Sequence, residues 1–178
     1  RWLTFVLLVS NPPFVISPDS SFLFRDSERG GEGISRRVIS TVAQLLTERG
    51  VCQLLTNWAH VDGTDWRERI EQAFAGCGCN AWVLALDHAE PDVYASRWLQ
   101  SSVHSPEALA GALDDWMRYY ERERITGIGW CVVTMRRATG SRTWCDIDEL
   151  PAAVNTPVGD HLLRCFEARE LLADLDDE

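Results

Sequence analysis

Apolar residues run almost unbroken from Leu3 to Val9, and such a run, stopped by two prolines, predicts a buried β-strand over Val6–Ser10. A polar stretch from Val15 to Gly33, rich in Ser, Asp and Gly, predicts a loop long enough to be a functional connection. Ile34, Val38, Ile39 or Val42, Leu45 and Leu46 then recur at helical spacing, predicting an amphipathic helix over 34–48 that Gly50 ends. A second buried strand is expected at Val51–Trp58, and strand, helix and strand in this order predict a right-handed parallel crossover. A short helix over Asp65–Phe74 with Thr64 as its cap follows, then a third strand at Trp82–Leu86 led in by Asn80 and Ala81, then a helix at Pro91–Gln100. Ser105-Pro106-Glu107 opens a longer helix, with proline at its first position, that runs to about Arg124. Ile125–Arg137 reads as the last strand. Residues 138–178 read as an appendix, with a helix at Gly159–Leu172 and an acidic end from Asp174 to Glu178. The pattern is that of an α/β fold with a main unit at 1–137 and no internal repeat or low-complexity linker.

With 178 residues, 46% of them hydrophobic, the chain is long enough for one domain with a substantial core. The net charge of −10 is unevenly spread: six Arg face five acids in the first fifty residues, and eleven Arg face twenty-two acids in the rest. Such a surface repels a phosphate backbone and disfavours a DNA or RNA duplex as partner. The Leu3–Val9 run is too short to span a bilayer and lacks a small-residue cleavage site, so no membrane partner and a cytoplasmic location are expected. Six cysteines show no paired zinc spacing; Cys77-Gly78-Cys79 stands without a second pair or a nearby His, so free thiols and no metal are expected.

Asn11-Pro12-Pro13-Phe14, directly behind the first strand, is where chemistry concentrates. Neither proline donates a ladder hydrogen bond, and each restricts the residue before it, so the corner is stiff. A stiff corner lets the Asn11 amide oxygen and a nearby carbonyl, that of Pro12, converge on one point and accept both hydrogens of a planar NH2 group. Phe14 adds a flat surface against which that group stacks. The plainer alternative is a proline turn with a core phenylalanine.

Asn-Pro-Pro-aromatic after an apolar strand resembles the substrate motif of class I S-adenosylmethionine-dependent amino-methyltransferases. That group methylates protein glutamine N5, adenine N6 or guanine N2. The run Arg29-Gly30-Gly31-Glu32-Gly33-Ile34-Ser35-Arg36-Arg37 is similar to the glycine-rich segment of the glutamine N5 (HemK-like) branch, and Val9 to Pro18 looks most like its actinobacterial members. The motif-bearing similarity covers about residues 6–57, with a looser one to about residue 137. The resemblance implies the C-terminal half of a doubly wound, Rossmann-like sheet with its last strand antiparallel, and S-adenosyl-L-methionine as cofactor. It implies Asn11 and Pro12 as the residues that orient the nucleophilic nitrogen, Asn11 to Phe14 as the acceptor site, and Asn11 as an edge contact to the cofactor. The acceptor is expected to be a protein or small-molecule amide or amine, with a nucleic-acid amine or a non-catalytic fragment as the rival readings. Methyl transfer from a sulfonium is an in-line displacement, so positioning and water exclusion are the main demands and no strong base is needed.

The chain departs from the family in one respect: no Gly-x-Gly loop follows a strand ahead of the motif, only ten residues precede it, and there is no initiator Met. The expectation is the C-terminal part of a longer methyltransferase, or the product of a truncated gene, with the main cofactor loop absent. Glu32 and glycines 30, 31 and 33 read as a turn, capped by Ser35, that also permits close approach of a substrate backbone. Arg36 and Arg37 read as a solvated face, and His60 with Asp62 as a candidate cleft pair. Trp116, Tyr119 and Tyr120, at helical spacing, read as core in preference to a stacking surface.

Overall fold

A computed structural model describes residues 3–18, 33–103, 105–140, 142–150 and 156–175. The elements are β1 (Phe5–Ser10), α1 (Gly33–Leu45), β2 (Leu46–Val61), α2 (Trp66–Phe74), β3 (Cys79–Ala89), α3 (Pro91–Leu99), α4 (Pro106–Glu123), β4 (Ile125–Arg137), β5 (Cys145–Glu149) and α5 (Gly159–Leu175). The strands form one sheet in the order β1-β2-β4-β3-β5. β1 pairs parallel to β2 and β5 parallel to β3, while β4 lies antiparallel between β2 and β3. Four strands therefore share one direction, and their C-terminal ends lie along one edge, where open α/β sheets place their ligands.

Helices cover both faces, because successive side chains of a strand point to opposite sides. Cys52, Leu54 and Trp58 of β2 join Ile39 and Val42 of α1 and Ile70 and Phe74 of α2 in one core. Ala59 joins Tyr94 of α3 and Trp116, Tyr119 and Tyr120 of α4 in the other. The α/β class is as the pattern predicts, and the Ile125–Arg137 strand runs antiparallel. The aromatic triplet is core, each member no more than 4% exposed.

Local signals hold best where capping chemistry is strong. Ser105 caps α4, its Oγ accepting from Ala108 N–H at 3.1 Å, and Pro106 stands at the first helical position, where its missing N–H costs nothing. For α2 the cap is Asp65 and not Thr64: the Asp65 carboxylate accepts from Arg67 N–H at 2.8 Å. α1 ends at Leu45, before Gly50, and β2 begins at once. Gly50 instead allows β1 and β2 to approach, since a Cβ there would stand 2.8 Å from the Phe5 carbonyl oxygen.

Two further differences from the pattern follow from tertiary pairing. β1 is an edge strand and is not buried: Val6, Leu7 and Val9 are 75%, 62% and 71% exposed. Past residue 137 the sheet continues, because Cys145–Glu149 pairs with Ala81–Ala85 of β3. α5 then packs back onto the sheet through Phe166, whose ring lies 4.9 Å from that of Trp144, and through Arg136 of β4, buried and 3.4 Å from Glu170.

Candidate functional site

Asn11 to Phe14 leave β1 at the shared C-terminal edge of the sheet. Asn11 is exposed, and its amide has no hydrogen-bond partner among the described residues. Pro12, Pro13 and Phe14 are half-buried, and the Phe14 ring meets Trp98 of α3 edge-on at 6.3 Å. The prolines end the ladder, and the next residues then dive into the core: Val15 and Ile16 are 1% and 0% exposed.

Ile16 is held on both backbone groups. Its N–H donates to the Tyr94 hydroxyl at 3.2 Å, and its carbonyl accepts from the Tyr120 hydroxyl at 2.7 Å. Asn57 of β2 donates its side-chain N–H to the same Tyr94 oxygen at 2.6 Å. Burial above all, with Tyr94 and Tyr119 adding to it, raises the Tyr120 pKa, so this hydroxyl keeps its proton and remains a donor. One strand and two helices thus fix the exit of the motif. Neither Tyr94 nor Tyr120 stands out in the sequence as part of this site. A polar Asn inside the apolar Val51–Trp58 run was the one available signal, since a buried amide needs partners.

The other sequence candidates separate. Ser10 pairs with Leu54, so His60, six residues on, stands about 20 Å further along β2. His60 belongs to the opposite sheet face from the tyrosines, beside Trp66. Asp62 does not pair with it; its carboxylate accepts from Arg124 at 2.8 Å, which holds the Asp62 pKa below the usual carboxylate value. The strand expected to end at Trp58 runs on to Val61, so Asn57-Trp58-Ala59-His60 lies within β2. Ser35 is buried inside α1 and accepts from the Thr56 hydroxyl at 2.5 Å. Arg36 is no free surface charge: its guanidinium lies 5.5 Å from the Trp58 ring centre and donates to the Arg69 carbonyl. Arg37 is exposed, while Arg29, Gly30, Gly31 and Glu32 lie outside the described residues.

Among the described residues no group of three His, Cys, Asp or Glu is placed to hold a metal ion, and no helix is long and apolar enough to cross a membrane. All six cysteines are free thiols. Burial pushes Cys52 up to about 11 and Cys131 to about 12, so neither supplies a thiolate near neutral pH.

No protein-family model matches the chain, and no curated protein does. Among solved structures it is similar to phosphoethanolamine N-methyltransferase 2 of Haemonchus contortus, in complex with phosphomonomethylethanolamine and S-adenosylhomocysteine. There the identity is 11%, the overlap 78% of this chain and 35% of that one, and the TM-score 0.41. It is also similar to the cyclase SpnF, at 15% identity over 77% and 52% of the two chains with a TM-score of 0.39. A SAM-dependent methyltransferase of Thiobacillus denitrificans, in complex with S-adenosyl-L-homocysteine, matches at 15% identity over 58% and 52%, with a TM-score of 0.30. The chain spans about a third to a half of the length of these structures.

Proposed function

We propose that this chain is the acceptor-binding part of an S-adenosylmethionine-dependent amino-methyltransferase that acts on a planar amide or amino nitrogen, of the protein-glutamine N5 kind. The observation that carries the reading is the Asn11 amide, exposed and without a hydrogen-bond partner among the described residues, on a corner whose far end is pinned at Ile16 by Tyr94 and Tyr120. A corner whose far end is held in this way limits the reorganisation needed when charge develops on the bound nitrogen. The Asn11 side-chain oxygen and the Pro12 carbonyl accept the two N–H groups of the acceptor, and Phe14, braced edge-on by Trp98, limits the plane in which the acceptor lies.

The described residues offer only this side of a cofactor site. None of the strands β1, β2 or β3 runs at its C-terminal end into a Gly-x-Gly turn. The open edge of β1 supports a larger sheet as the working unit: parallel strands are normally covered on both faces, and this one exposes apolar side chains on both. The acceptor is a protein or small-molecule amide or amine, as the acidic surface disfavours phosphate.

The test is transfer of labelled methyl from S-adenosylmethionine to a glutamine-bearing peptide by the full-length protein, with Asn11→Ala as the control. Label on the peptide that disappears in the variant supports the reading. Transfer that survives in Asn11→Ala, or no transfer to any amide or amine, refutes it.

A further inference from the structure

A cavity of about 370 Å3 opens at the C-terminal ends of β2, β3 and β5, on the face opposite the tyrosines. Its wall is a column of three rings. His60 stacks on Trp66 at 5.3 Å with the planes 4° apart, and on its other side faces His88 at 6.1 Å and 7°. Three features of the fold build this column. Trp66 opens α2 directly behind the Asp65 cap, which fixes its position. A break in the β3–β4 register between Ala85 and Asp87 brings His88 opposite Gly129. Gly129 leaves room for the imidazole, since a Cβ there would stand 3.2 Å from His60 Nε2.

Two carboxylates stand beside the column. Asp87 and Glu149 both line the cavity. Glu149 is paired with Arg67, whose guanidinium lies 4.4 Å from the Trp66 ring centre, so a planar N–H donor set already rests on this ring and meets this carboxylate. Asp87 is exposed, accepts only the His88 backbone N–H at 2.8 Å, and has no cation partner among the described residues. Cys131 contributes a neutral thiol to the lining. Stacking rings together with the spare Asp87 carboxylate select a flat ligand with hydrogen-bond donors on its rim, and that unpaired negative charge disfavours one bearing phosphate.

From this geometry we infer that the cavity is a binding site for an uncharged or cationic amino-heteroaromatic ring of purine size without a phosphate, stacked on the Trp66–His60–His88 column with its amino edge toward Asp87. Nothing in this inference depends on methyl transfer, because the cavity stands about 20 Å along β2 from the end of β1.

The probe is 2-aminopurine riboside, titrated into the full chain and read by ligand fluorescence and by the NMR signals of the His60 and His88 ring protons. Saturable binding is expected, with both histidine signals shifting. Asp87→Asn and His88→Ala, at two exposed positions, should each keep the fold and weaken binding by about tenfold. The 5′-monophosphate of the probe should bind more weakly than the riboside. A flat titration up to about 5 mM overturns the inference, that being weaker than a built pocket of this size gives. So do full affinity in both variants, or a monophosphate that binds as tightly as the riboside.

Discussion

The Tyr120 hydroxyl donates to the Ile16 carbonyl at 2.7 Å, joining the end of the proline corner to a helix 104 residues further on. Both partners are buried. Tyr120→Phe leaves the Ile16 carbonyl without its donor in a dry site, and the expected loss of stability is about 1–3 kcal/mol. Urea denaturation of the variant measures it, and a shift under about 0.5 kcal/mol would mean that the corner holds its place without this bond.

Asn11→Ala separates function from folding. The side chain is exposed and makes no hydrogen bond within the described residues, so the unfolding midpoint should stay close to that of the parent. Turnover of the full-length enzyme should fall by about two to three orders of magnitude, the scale for one preorganised polar contact. Steady-state kinetics beside a thermal melt gives both readings.

Glu170 and Arg136 tie α5 to the sheet. Arg136 is 5% exposed, with Glu170 at 3.4 Å and Glu167 at 3.9 Å. Glu170→Ala leaves the buried guanidinium with Glu167 alone, at 3.9 Å, and should cost up to about 3 kcal/mol, whereas Arg136→Met removes the charge itself and should cost clearly less. Amide exchange over 159–175 should speed up in the first variant more than in the second.

Acid should destabilise the protein through His60. Burial, then His88 and Arg67, lower its pKa, against an opposite pull from Glu149. The unfolded chain, with a histidine pKa of about 6.5, therefore takes up the proton first as pH falls. The stability contributed by neutral His60 is present above about pH 6.5 and declines below it. Denaturation curves between pH 7.5 and about 5 should show this slope, flattened in His60→Gln; an unchanged slope in that variant would place the acid-sensitive group elsewhere.

Duplex DNA and structured RNA should bind poorly at every salt concentration. Arg36 and Arg124 are engaged with Trp58 and Asp62, and the chain carries −10 overall. Filter binding at low and moderate salt checks this, and tight binding with a steep salt slope would instead favour a nucleic-acid amine as acceptor.

Sequence alone determined the elements whose signals are local. The Ser105-Pro106 start of α4, the Ile125–Arg137 strand and the stiff Asn11-Pro12-Pro13-Phe14 corner are set by backbone chemistry within a few residues, and each stands where its residues say. Tertiary structure decided what depends on pairing. β5, Cys-Asp-Ile-Asp-Glu, has little apolar signal and is a strand because Ala81–Ala85 offers it a free edge. β1 reads as buried because parallel strands are apolar on both faces, yet burial depends on neighbours that hydrophobicity does not name. The grip of Tyr94 and Tyr120 on Ile16, and the meeting of His60 with His88 across β4, join residues far apart in the chain. Such contacts follow from register, which is settled only when the whole sheet closes its ladders and buries its faces.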